Sequence, residues 1–253
     1  MKPVVVRNVA IGEGIPKICV PIVGKTIDEI LNQAKHICEI GADVVEWRVD
    51  WFEEVNNYES VENAAKQLRD ILGETPILFT FRTAKEGGEC TIEPDEYVEL
   101  NEKIAKSGYV DLVDVEAFIG DTYVEKVVKT SHECGVKVIA SNHDFQKTPP
   151  KEELIARMKK MQELGADIPK IAVMPQGKED LLTLLSATEE MTRYYADRPV
   201  ITMSMAGTGV LSRLCGEVFG SALTFGAAGK VSAPGQIDVE DLRMVLGIIH
   251  KSL

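Results

Sequence analysis

Residues 43–50 read DVVEWRVD. Valines and a tryptophan give this stretch the composition of a buried strand, but ionisable groups interrupt it. At the strand period of two, Glu46, Arg48 and Asp50 share one face while Val45 and Trp47 share the other. Trp47 suits a layer of packed helices. The charged face must then point the other way, into the interior of a sheet closed on itself.

The same unit recurs along the chain: a short apolar run, a loop, then a helical pattern ending near glycine. The runs are KICVPIV (17–23), DVVEWRV (43–49), PILFTFR (76–82), LVDVEAF (112–118), KVIASNHD (137–144), IPKIAVMP (168–175), PVITMSM (199–205) and ALTFGAA (222–228). Between them lie patterns such as TIDEILNQAKHICEIG, with Thr26 as N-cap and Gly41 past the end, and PPKEELIARMKKMQELG, closed by Gly165; a last helix starts at Asp238. Strands alternating with helices every 25–35 residues or so indicate a parallel sheet with crossover helices. Eight units in 253 residues fit an α/β fold of the (β/α)8, or TIM, barrel type over one domain, 1–253. A doubly wound sheet would want a Gly-rich phosphate loop early; GTGVLS (207–212) comes late and lacks the third glycine. Residues 1–15 are apolar and glycine-broken, and are expected to form a short N-terminal hairpin plugging one barrel end.

Lys plus Arg number 28 and Asp plus Glu 40, a net charge of −12. Such a surface repels nucleic acid and anionic membranes, so any anion site must be a local cluster of cations. No apolar run approaches the ~20 residues of a membrane span, and the first residues do not read as a signal peptide. A cytoplasmic protein is expected. The five cysteines, Cys19, Cys38, Cys90, Cys134 and Cys215, show no C-x-x-C spacing and no zinc pattern. They are read as buried structural thiols in a reducing compartment, and no metal site is expected.

In a barrel strand alternate residues face the interior, where ionised groups are costly unless paired or functional. Glu46 and Arg48, Arg82 at the end of strand three, Asp114 and Glu116 in strand four and Lys170 in strand six are therefore the informative residues; the alternative is an ion-pair network that only fixes the barrel. Lys170 has apolar neighbours on both sides. Desolvated among cations, such a lysine carries more neutral amine near pH 7, which attacks a ketone. Of the four histidines, His36, His132 and His250 lie in helical patterns and His143 alone ends a strand, where a group titrating near neutrality suits proton transfer. Glu86, in RTAKEGG, could orient that imidazole. Arg213, after strand seven, could hold a carboxylate bidentately. Ser232 and Gln236, in KVSAPGQID, fall in a loop that could fold over a substrate as a lid.

Six segments, EWRVD, FTFRTAKEGG, SNHDF, PKIAVMP, MSMAGTGVLSR and SAPGQI, occur in order at barrel-like spacing. Together they resemble the type I 3-dehydroquinate dehydratases of the shikimate pathway. The resemblance runs from about residue 16 to the end and implies a (β/α)8 barrel, a homodimer and no cofactor. It implies that Lys170 forms a Schiff base with the C3 ketone of 3-dehydroquinate, that His143 is the general acid/base, and that Glu86 pairs with His143. It further implies that Arg213 and Gln236 contact the substrate carboxylate and a nearby hydroxyl. Glu46, Arg48 and Arg82 would hold the ring hydroxyls, with Ser232 and Ala233 from the lid and Met203 and Met205 as an apolar wall. Two other readings compete. One is a Schiff-base aldolase acting on a phosphosugar, with Gly226, Gly229 and Lys230 as phosphate cradle; the other is a barrel that binds without catalysis.

Overall fold

The computed structural model describes residues 2–229 and 232–253. A hairpin of β1 (Val4–Val6) and β2 (Val9–Ile11) leads the chain. Eight strands follow: β3 (Lys17–Ile22), β4 (Val44–Arg48), β5 (Ile77–Thr80), β6 (Leu112–Glu116), β7 (Lys137–Asp144), β8 (Ile168–Val173), β9 (Ile201–Ser204) and β10 (Leu223–Ala227). Neighbours in this series pair parallel from β3 to β9, and β10 pairs parallel with β3. The seam between β9 and β10 is closed by a single bridge, Val200 to Ser221, where Ala222 N–H donates to the Val200 carbonyl at 2.9 Å. A two-residue strand, β11 (Ile237–Asp238), runs parallel to β10 and leads into the last helix.

The helices are α1 (Ile27–Ile40), α2 (Tyr58–Leu72), α3 (Pro94–Lys106), α4 (Asp121–Glu133), α5 (Lys151–Glu163), α6 (Lys178–Tyr194), the short α7 (Val210–Leu214) and α8 (Gly216–Phe219), and α9 (Val239–His250). Their ends follow the expected chemistry. Thr26 Oγ1 accepts the Glu29 N–H and Asp238 accepts the Glu240 N–H, satisfying donors with no partner inside the helix. Gly41 ends α1 at a φ of 76°, a conformation that costs glycine little.

The alternation places the site. On the helix side, Val45, Trp47, Phe79, Val113 and Ile171 join one apolar cluster with the helices, and Trp47 meets Phe79 edge-on at 5.6 Å. On the inner side Cys19, Val44, Leu78, Leu112, Ile139, Ile168, Ile201 and Leu223 form a second cluster, one residue from each strand. Val4, Val6 and Ile11 of the hairpin belong to it, so the hairpin plugs the amino end of the barrel. Two residues further along the strands the interior turns polar, with Glu46, Thr80, Asp114, Ser141 and Lys170, all buried. Apolar packing seals one end and the ionisable groups gather at the other.

The reading of all five cysteines as buried is corrected. Cys19 is buried, Cys90 and Cys215 are partly so, and Cys38 and Cys134 are exposed. The buried stripe of α1 is Ile30, Ala34 and Ile37, and Cys38 lies one residue, about 100°, off it. Cys134 is the C-cap of α4, where the packed face has ended.

Candidate active site

A cavity opens at the carboxyl ends of the strands. It is lined by Glu46, Arg48, Arg82, Glu86, His143, Lys170, Met203, Met205, Arg213, Ser232, Ala233 and Gln236. These twelve are the site residues that the resemblance implies; Asp114 and Glu116, also singled out in the sequence, are buried and do not line the cavity. Gly87, Phe145, Ala172 and Phe225 complete the wall and were not expected. Ala172 and Phe225 carry a signal in hindsight. The first stands two residues beyond Lys170, and the second two beyond Leu223, on the inward face of their strands.

Lys170 is 3 % exposed. Its Nζ donates to Asp114 Oδ2 at 3.2 Å, lies 3.7 Å from Glu46 Oε1, and sits 4.6 Å from the centre of the Phe225 ring. The nearest charged groups are thus carboxylates, which corrects the expectation of a lysine set among cations. Asp114 also accepts from Arg82 Nη2 at 2.7 Å and from Ser141 Oγ at 2.6 Å. Arg82 Nη1 donates to Glu116 at 3.0 Å, and Arg48 makes two 2.8 Å bonds to Asp50. Burial alone would make these charges costly; the pairing offsets that cost.

His143 and Glu86 meet as anticipated. His143 Nδ1 is 2.9 Å from Glu86 Oε2, which also accepts the His143 backbone N–H at 2.9 Å. Burial first, then the charges of Arg82, Lys170 and Arg48, push the imidazole well below its ordinary range. That direction departs from the titration near neutrality expected of His143 and favours its uncharged form. Burial raises the Glu86 carboxyl to about 7, against the opposing pull of Arg82. The loop that presents Glu86 is tight. A Cβ on Gly87 would stand 2.3 Å from the Phe145 ring and one on Gly88 1.9 Å from the Arg82 carbonyl, so both glycines are needed for close approach.

Arg213 is 1 % exposed and has no carboxylate partner among the described residues. Its Nη2 donates to the Pro234 carbonyl at 3.1 Å and its buried Nε–H finds no acceptor among the described residues. Burial lowers its pKa to about 10. The loop that carries Ser232, Pro234 and Gln236 is anchored to it. The Pro234 carbonyl also accepts the Ala206 N–H at 3.2 Å, while Gln236 and Ser232 bond to each other at 2.9 and 3.0 Å. A phosphate cradle is not formed by Gly226, which faces α9: a Cβ there would stand 3.3 Å from Leu242. Lys230 lies outside the described residues.

Together the closed barrel and its cavity define a (β/α)8-barrel enzyme working at the carboxyl ends of its strands. Residues 18–253 match the family model described as type I 3-dehydroquinase. A 3-dehydroquinate dehydratase of Clostridioides difficile is 56 % identical over 252 residues, covering 100 % of this chain and 99 % of that protein. A solved type I 3-dehydroquinate dehydratase from Clostridium difficile, with covalent modified comenic acid, superposes with a TM-score of 0.98 at 57 % identity, covering 100 % of both chains. One from Geobacillus kaustophilus gives 0.96 at 44 % identity, covering 99 % of this chain and 97 % of that one. The chain belongs to the type I 3-dehydroquinase family.

Proposed function

We propose that the chain dehydrates 3-dehydroquinate to 3-dehydroshikimate, a step of the shikimate pathway, through an iminium on Lys170. Family membership and 56 % identity over the full length to a curated 3-dehydroquinate dehydratase support the reaction. The roles of the residues rest on their geometry. The Lys170 amine adds to the C3 carbonyl, and loss of water gives the iminium, which acidifies C2. Nε2 of neutral His143 takes the C2 proton and the electrons form an enamine. The enamine expels the C1 hydroxyl, which leaves as water with the proton returned by His143. A water then hydrolyses the iminium and frees Lys170, so the balance is substrate to product plus one water.

Arg213 receives the substrate carboxylate, with Gln236 beside it, and Glu46, Arg48 and Arg82 hold ring hydroxyls. Ser232 and Ala233 close the lid, and Met203 and Met205 form the apolar wall. The observation that carries the reading is a lysine buried in the same cavity as an imidazole whose Nδ1 is fixed by a carboxylate at 2.9 Å.

The test is borohydride reduction in the presence of 3-dehydroquinate, followed by peptide mapping. A stable mass increase on Lys170 is expected; no adduct, or one on another lysine, overturns the mechanism.

The same proposal takes residues 1–253 as one catalytic domain, cytoplasmic and homodimeric. No described helix is long and apolar enough to cross a membrane. Leu211, Val218, Met244 and Ile248 are exposed on α7, α8 and α9, where His250 pairs with Glu217 at 2.7 Å. Sedimentation is expected to give twice the mass of one 27.8 kDa chain.

A further inference from the structure

One hydrogen-bond chain leaves the cavity and ends on a helix. Asn142 stands on β7 between Ser141 and His143, so its side chain is on the helix side of the sheet. Its Nδ2 donates to Glu86 Oε1 at 3.0 Å and its Oδ1 accepts from Arg157 Nη1 at 2.7 Å. Arg157 is on α5, pairs with Glu153, and lies over the Phe118 ring at 5.8 Å. A guanidinium can only donate, so the amide must turn its oxygen to Arg157 and its NH2 to Glu86. Both carboxylate oxygens of Glu86 therefore face N–H donors: the locked amide on one and the His143 backbone on the other. Were Glu86 protonated, its hydrogen would point at one of these donors or at His143 Nδ1. The second case moves the imidazole proton to Nε2 and removes the base.

We propose that Arg157 and Asn142 are positioning residues that hold Glu86 as an acceptor on both oxygens, and so keep the proton of neutral His143 on Nδ1 with Nε2 free. This rests on the reading of His143 and Glu86 given above. The other charged groups around the pair are Arg82, 3.7 Å from Glu86, Glu116, Lys170, Arg48 and, on α5, Glu153. All of them remain when Arg157 is replaced.

Arg157→Met keeps an apolar stem over Phe118 and lets the amide turn. The acidic limb of its kcat profile is expected to move up by about one pH unit, a tenfold loss on that limb, with KM little changed. Nitrogen-15 shifts of the four histidines are expected to show the His143 proton moving toward Nε2. Arg157→Lys should recover part of both effects. Asn142→Ser should act in the same direction as Arg157→Met, and replaces it if that variant does not fold. Glu86→Gln is measured in parallel. If it moves the profile while the Arg157 and Asn142 variants leave profile and nitrogen shifts as in the parent, the positioning role is overturned and the pairing of His143 with Glu86 stands. If Glu86→Gln itself changes nothing, both fall.

Discussion

Lys170 on β8 reaches past β7 to Asp114 on β6, with Nζ 3.2 Å from Oδ2. Asp114 is 0 % exposed and binds Arg82 and Ser141 through its other oxygen. Burial alone would raise its pKa, but Arg82, then Lys170, together with hydrogen bonds from Ser141 and Arg82, hold it below the usual carboxylate range. Asp114→Asn removes the carboxylate and leaves two buried cations short of a partner. A loss of about 3–5 kcal/mol is expected at pH 7, read from urea unfolding. A carboxyl with a lowered folded pKa contributes stability above its unfolded value, lost as pH falls through the folded one. The gap between parent and variant should therefore be flat from pH 5 to 8 and close only in acid. An unchanged urea midpoint at pH 7 would remove Asp114 as the hub of the charged interior.

Glu86 runs the opposite way. Burial raises its carboxyl from 4.5 to about 7. A raised folded pKa means stability that is present below the unfolded value and lost as pH climbs through 7. Its magnitude is at most about 3 kcal/mol. Glu86→Gln should be less stable relative to the parent at pH 5 than at pH 8. Parent activity should fall as pH drops through about 7, because only ionised Glu86 accepts from His143 Nδ1. Parallel melting curves at the two pH values and a kcat profile check both signs; a parent profile flat across pH 7 contradicts the second.

Why so much of the site could be read from sequence, and some not, follows from direction. Residues at alternate positions of barrel strands share a face, so Glu46 with Arg48 announced themselves as inward, whereas Met203 and Met205 came only with the resemblance. Arg82 and Glu86 were legible as charges at a strand end. The run PILFTFR continued to residue 82, whereas β5 stops at Thr80. The reason is that Asp50 accepts the Arg82 N–H at 3.3 Å and Glu116 accepts the Thr83 N–H at 2.8 Å, so carboxylates from the turn after β4 and from the end of β6 replace the ladder. The partner of Lys170 was not legible, since nothing in the sequence says which of several inward carboxylates it meets. Asn142 was hidden for a different reason. It faces the helices, and its role exists only once α5 brings Arg157 to it.

The loop proposed as a lid meets Ala206 through a backbone hydrogen bond that a single methyl group should break. Gly235 has a φ of 78°, and a Cβ there would stand 2.5 Å from the Ala206 carbonyl oxygen. Gly235→Ala is thus strained by conformation and by collision with backbone, neither of which relaxes cheaply. Pro234, the residue before it, supplies the carbonyl that Ala206 and Arg213 share. The expected outcome is faster proteolysis near residues 228–236 and a KM raised severalfold, with global stability little affected. Parent-like cleavage and KM in this variant would show that the loop tolerates displacement.

Arg213 separates binding from stability more sharply than any other residue in the cavity. A buried cation without a carboxylate is a cost to the fold, as its pKa, lowered to about 10 by burial, attests. Replacing it with methionine removes that cost and strands no buried anion, since its described contacts are the Pro234 carbonyl and the Met203 sulfur. The same change deletes the cation proposed to receive the substrate carboxylate, worth about 1.5–3 kcal/mol for charged hydrogen bonds. Arg213→Met should therefore unfold at the parent temperature or above it while KM rises by roughly ten- to a hundredfold. The opposite pattern, a lower melting temperature with an unaltered KM, would make Arg213 a structural anchor of the lid and send the substrate carboxylate elsewhere.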